Sequence, residues 1–237
     1  MADRNYNWDA IRADLERIGT QNPDFLPNTV LVGGAACWYY RLALSQASDA
    51  DFPVPVYTPD EERVWLSKDL DFMGESSEEI GQLIGQPCPP MGTLLQYAGA
   101  TLDFIEAGLT MTSQAANHTA RKAQAGDLTF YIASPSLLFE EKHACVLQKK
   151  DRPQDSLHRE VLARFIKLEL CRSLEQPEDL DTKEWLYEAK ESKTADNHFF
   201  AHDAALSRRL HPAAARLVPE HRAILHWIRH HVAQLPA

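Results

Sequence analysis

The stretch Leu66-Ser67-Lys68-Asp69-Leu70-Asp71-Phe72 constrains this chain more than any other. Its apolar and polar residues alternate, and a period of two is the signature of a strand whose two faces meet different surroundings. Leu66, Leu70 and Phe72 fall on one side, and Ser67, Asp69 and Asp71 on the other. The first side can be buried, and the second then presents two carboxylates side by side. Adjacent carboxylates repel each other and take up protons unless a cation sits between them. Hard oxygen ligands suit a divalent ion such as Mg²⁺. The plainer alternative is an edge strand whose acids face water.

With 237 residues, of which 44% are hydrophobic and 24% charged, the chain can bury a sizeable core. No stretch reaches the roughly 20 apolar residues needed to span a bilayer, so no membrane partner is expected. Met1-Ala2-Asp3-Arg4-Asn5 lacks the basic-then-apolar pattern of a secretory leader. Cys37, Cys88, Cys145 and Cys171 are scattered and read as reduced thiols of a cytoplasmic protein. A formal net charge of −10 argues against a general nucleic-acid-coating role. The charge is uneven, however: Arg208, Arg209, Arg216, Arg222 and Arg229 face only Glu220 in the last stretch. Such a basic end is either a solvated helix face or a contact for phosphates.

Taken in order, the spacing of Trp8, Ile11, Leu15 and Ile18 predicts a helix over 8–18, stopped by Gly19 and the turn at Asn22-Pro23. A strand over 29–32 runs into Gly33-Gly34, and a helix follows over 35–45. Residues 46–62, with Pro53, Pro55 and Pro59, read as a long loop. After the Asp69/Asp71 strand, Ser76-Ser77-Glu78-Glu79 opens another helix, and the segment at 94–97 reads as helical or irregular. Residues 100–105 form an alternating strand with Leu102 and Phe104 on one face and Asp103 on the other; residues 128–132 form a further strand. From Ser134-Pro135 the pattern turns helical: 137–149, 155–174 with Arg159, Arg164 and Lys167 on its wet side, and three shorter helices between 181 and 231. The expected fold class is therefore α/β (α+β), a short mixed sheet flanked by helices with a helical C-terminal half. The core spans 1–134 and the helical region 135–237, packed as one body.

Glycine at a strand-to-helix turn lets the backbone approach a ligand, and the helix N-terminus beyond it favours anions. Asp103, on a strand of the same alternation, supplies a third carboxylate beside Asp69 and Asp71. Three acids can hold two Mg²⁺ ions. Val32-Gly33-Gly34, Lys68-Asp69-Leu70-Asp71-Phe72 and Leu102-Asp103-Phe104 together resemble the pattern of the DNA polymerase beta-like nucleotidyltransferase superfamily. Ser134-Pro135-Ser136-Leu137-Leu138 with Lys142, followed by Lys149-Lys150 and Asp155, is similar to its abortive-infection toxin branch. The resemblance covers roughly 28–170 and implies a metal-dependent transfer of a nucleoside monophosphate from an NTP to an acceptor hydroxyl, with pyrophosphate released. It implies Asp69, Asp71 and Asp103 as catalytic and metal-binding residues for Mg²⁺ (Mn²⁺ as the alternative), and Gly33, Gly34, Ser67 and Lys142 as nucleotide-binding residues. The acceptor it implies is an RNA, such as a tRNA end, or a protein, with a cognate antitoxin as partner. Gly34 stands where many relatives carry Ser, 46–62 is an insertion relative to the compact pattern, and His158 stands near where relatives carry a second acid.

Lys142 also stands out without the family, because it shares a helical stripe with Leu138 and Cys145. A lysine in an apolar stripe needs an anion; either a triphosphate meets it, or its stem packs while the amine reaches water. Lys68 lies on the apolar side of its strand and reads as structural. His198 and His202, and His226 and His230, have helical ligand spacing but no acid or Cys to complete a zinc set, and read as surface. The alternative to an enzyme is a catalytically inactive nucleotidyltransferase-like binding or antitoxin module. Retention of all three acids weighs against it.

Overall fold

The computed structural model of the chain describes residues 7–65, 67–74, 76–87, 94–148, 152–195 and 203–232. Six strands form one mixed sheet: β1 (Val30–Leu31), β2 (Leu70–Met73), β3 (Leu95–Tyr97), β4 (Ala100–Phe104), β5 (Arg121–Ala125) and β6 (Leu128–Ile132). Their spatial order is β3-β4-β2-β1-β6-β5. β1 runs antiparallel to β2 and parallel to β6, and β2 runs parallel to β4. The sheet carries α1 (Trp8–Gln21), α2 (Gly33–Ala47), α3 (Pro59–Val64), α4 (Ser77–Ile84) and α5 (Ser113–Thr119). Beyond it come α6 (Pro135–Leu147), α7 (Pro153–Glu175), α8 (Thr182–Ala195), α9 (Ala204–Ala214) and α10 (Arg222–His231). The chain is thus mixed α/β with a helical C-terminal half, and none of the described helices is long and apolar enough to cross a membrane.

One continuous core joins the two halves. Val30, Leu31, Phe72, Leu102 and Phe130 of the strands are buried with Leu138 of α6, Val161, Leu162 and Ile166 of α7, and Leu210 of α9. The 23-residue α7 is the spine of the helical half, lying against α2, α6, α8 and α9. Two polar links fasten it to the sheet. Arg121 of β5 pairs with Glu169 of α7 at 2.6 Å and with Glu188 of α8 at 2.8 Å. The Tyr40 hydroxyl of α2 donates to the Ala133 carbonyl at 2.8 Å, just after β6.

Several sequence expectations change. Gly19 does not end α1, which continues to Gln21; leucine side chains pack over the glycine, so little helix is lost there to solvent. The expected loop over 46–62 contains α3, opened by a capping box between Thr58 and Glu61 with Pro59 at the first helical position. Residues 95–97 form the edge strand β3, where helix or irregular chain was expected. β5 and α5 lie in a stretch that gave no periodic signal. Ser67 and Asp69 precede β2, so they are placed by a bend that the Ser67 hydroxyl holds by donating to the Asp69 carbonyl at 2.9 Å, and strand alternation does not govern them. Arg159, Arg164 and Lys167 are partnered rather than merely wet, with His143 Nδ1, Glu160 and Asp203 respectively. Leu66, Lys149 and Lys150, His198 and His202 lie outside the described residues.

The proline-rich stretch is bound to the helical half. Asp49 pairs with Arg209 of α9 at 2.5 Å, Asp51 with Arg208 at 2.9 Å, and the Pro53 carbonyl accepts from Arg164 of α7 at 2.9 Å. Phe52 is buried beneath the Arg209 guanidinium. On the way back to the sheet, Arg41 of α2 lies over the rings of Trp38, Tyr57 and Trp65 and pairs with Glu62.

Candidate metal centre

Parallel pairing of β2 with β4 sets Asp71 directly beside Asp103. Both side chains leave the sheet on the same face, since residues in register share their orientation. Asp69 stands just ahead of β2. One carboxylate oxygen from each of Asp69, Asp71 and Asp103 lies within 4.8 Å of the other two, the only such metal-competent group among the described residues. All three are half-buried. The loop that follows β4 is pinned from below: Glu141 of α6 accepts the N–H groups of Leu109, Thr110 and Met111 at 2.9, 2.8 and 3.1 Å.

The glycine pair serves this cluster directly. The Val32 N–H donates to the Asp71 carbonyl at 2.9 Å, so the chain leaves β1 immediately over Asp71. Gly33 adopts φ +63, and a Cβ there would overlap the Asp71 carboxylate, lying 2.6 Å from its Cγ. A side chain at 33 is therefore excluded by contact as well as by conformation. α2 has no side-chain cap of its own at Val32, and the Gly34 N–H hydrogen-bonds the Asp71 carboxylate instead. An anion at a helix N-terminus is stabilised by the unpaired amides and the helix dipole. In this structure that anion is Asp71, where a phosphate was expected from the sequence.

The three acids disturb one another. Burial, then Asp69 and Asp103, push the Asp71 carboxyl up to about 7, against the pull of Lys142 and the Gly34 N–H. Burial and Asp103 raise Asp69, while Arg152 and Lys68 draw it down. Burial raises Asp103 against the Phe104 N–H, and its Oδ1 is sealed from solvent without a hydrogen-bond partner. Such a cluster is relieved by protons or by a cation. Three hard oxygens, one of them lacking any donor, fit Mg²⁺ or Mn²⁺ in chemistry.

Behind Asp71 the polar network continues into the helical half. Lys142, 9% exposed, has its ammonium 2.8 Å from Asp155 Oδ1, and Asp155 is 1% exposed. The anion that this lysine needs is thus supplied by the first turn of α7. Burial opposes its charge, but Cys37, Asp155 and Asp71 more than compensate, and its pKa lies above the ordinary lysine value. Burial pushes the neighbouring Cys37 thiol up to about 12. His158, one turn beyond Asp155, is buried with its ring 4.6 Å from that of Trp65, and neither ring nitrogen has a partner. Burial, Lys142 and Arg41 hold it neutral, and its Cε1 stands 3.6 Å from where a Gly34 Cβ would be. Arg152, Asp155 and His158 recur every three residues, a helical stripe readable in the sequence once Asp155 is placed at the site.

Ser67 stands beside Gly34, its Oγ 3.1 Å from a Cβ position there. His226 and His230 of α10 have their rings 4.2 Å apart, and no third ligand joins them. No family model, curated protein or solved structure matches this chain.

Proposed function

We propose that the chain is a metal-dependent nucleotidyltransferase, moving a nucleoside monophosphate from an NTP to an acceptor hydroxyl of an RNA or protein. One observation carries the reading: three carboxylates delivered by two paired strands and a bend converge within 4.8 Å, at the cost of pushing Asp71 up to about 7. A fold gains nothing from that repulsion unless a dication relieves it. Asp69 and Asp71 would hold the ions with Asp103. Asp103, whose Oδ1 has no donor, is the group placed to accept the proton of the acceptor hydroxyl. Gly33 and Gly34 keep the space over Asp71 clear and aim its carboxylate, and Ser67 fixes the bend that presents Asp69. Bound Mg²⁺ supplies charge neutralisation for the triphosphate and for the departing pyrophosphate. The cytoplasm, a reducing compartment, suits the free, buried Cys37, Cys145 and Cys171. A toxin of a toxin–antitoxin or phage-defence system, with an antitoxin as partner, is the biological setting we infer from the resemblance.

A second reading has its own support. Asp71 already has a structural task as the cap of α2, which a non-catalytic binding or antitoxin module would also need. Incubation with each labelled NTP, Mg²⁺, total RNA and lysate protein separates the two. Label transferred by the wild type, and lost at least a hundredfold in Asp69→Ala and Asp103→Ala, is expected. Cation binding without transfer to any acceptor would favour the module.

A further inference from the structure

The cation expected to meet the triphosphate, Lys142, is buried and committed to Asp155. A site that binds dications and a nucleotide still needs a group to receive the phosphates, because dications alone do not fix the orientation of the chain. The stripe on α7 indicates where that group lies. Asp155 and His158 are sealed beneath the glycine turn, and Arg152, one turn earlier, brings the same stripe out to solvent. Arg152 is exposed at the N-cap of α7, with no side-chain cap hydrogen bond there. Its guanidinium acts on Asp69, drawing that carboxyl down against burial and Asp103.

The other basic side chains of α7 are all engaged. Arg159 meets His143 Nδ1 at 3.1 Å, Arg164 pairs with Glu160 at 2.7 Å, Lys167 pairs with Asp203 at 2.5 Å, and Arg172 donates to the Ala47 carbonyl. Among the described residues Arg152 has neither an ion pair nor a hydrogen bond to its guanidinium. A free guanidinium beside a carboxylate cluster, on a chain of net charge −10, is an uncompensated fork of donors at the rim of a cation site.

We propose that Arg152 is the residue through which this site grips the phosphate chain of a dication-bound nucleoside triphosphate, while Lys142 holds Asp155 and the glycine turn in place. This rests on the nucleotidyltransferase reading and adds to it a phosphate-binding residue that the family motifs do not designate. Arg152 acts on the anion and leaves the ions to the three acids.

The test measures binding without turnover. Mn²⁺ alone is titrated by electron paramagnetic resonance, and Mn²⁺ with each non-hydrolysable NTP analogue by calorimetry. The proteins compared are wild type, Arg152→Gln, Arg152→Lys and, as a remote control on α10, Arg229→Gln. Arg152→Gln is expected to bind Mn²⁺ as wild type does and to unfold at the same temperature, but to bind the nucleotide at least tenfold more weakly. Arg152→Lys should recover part of the loss, and Arg229→Gln should match wild type. Nucleotide binding within twofold of wild type in Arg152→Gln overturns this assignment and leaves the enzyme reading standing. Mn²⁺ binding by the wild type with no nucleotide binding at all overturns both.

Discussion

Asp71 meets three neighbours that each change what it can do: a helix N-terminus, a lysine and two other acids. The first two favour its anion and the acids oppose it, and with burial added the balance leaves its carboxyl titrating at about 7 against an ordinary 3.8. In the metal-free protein the native state therefore keeps a proton that the unfolded chain releases near pH 4. Stability contributed by this group is fully present below that point and is lost as the pH climbs towards about 7. Asp71→Asn removes the titration. The stability of that variant relative to wild type is expected to rise between pH 4 and 7 and level off above, in urea unfolding with a chelator present. A difference independent of pH would show that Asp71 is ionised throughout. Divalent ions should bind more tightly as pH rises over the same interval, because they displace that proton. At this scale Asp71 and Asp103 were legible, since a period of two fixes which residues share a face. Lys142 was half legible: its need for an anion could be read, but the choice between an internal acid and a ligand depends on how α7 docks.

Helices and strands became readable in proportion to how much of their order is local. α4 announces itself by the Ser76 cap and by Gly85 in the left-handed region at its end. β5, Arg121-Lys122-Ala123-Gln124-Ala125, has no β-branched residue, and only its hairpin with β6 makes it a strand. β3 is a three-residue edge held by β4. α3 was concealed by prolines that suggested a loop, although Pro59 at the first helical position helps start a helix. The junction of α6 with α7 is the element-level feature that most affects the site, and the Lys142–Asp155 pair defines it. Lys142→Met leaves the Asp155 carboxylate buried without its cation and should cost about 3–5 kcal/mol. Adding Asp155→Leu should recover most of that. Equilibrium unfolding of the single and double variants checks both, and a double variant no more stable than the single would show that the pair is not an isolated unit.

Across the whole molecule, the insertion over 46–62 is the piece that sheet and helices share. Arg209 alone reaches Asp49, Glu175 and the Phe52 ring, and Asp49 in turn receives the N–H groups of Asp51 and Phe52 at 3.1 and 3.0 Å. Arg209→Ala should cost only about 1 kcal/mol overall, since the pairs are partly solvated. Amide exchange at Asp51 and Phe52 should nevertheless quicken by an order of magnitude or more. Unchanged exchange there would mean that the aromatic cluster around Arg41 holds the segment without help. No local pattern could have revealed this clamp, because its partners lie far apart in the chain. The space above Gly33 has a consequence for descent. The carboxylate at 71 occupies the volume that a methyl group at 33 would take, so the two positions are bound to a common history. A lineage that lets the acid shrink relaxes the ban on its counterpart, and loss of the glycine would be the visible trace of a site gone silent.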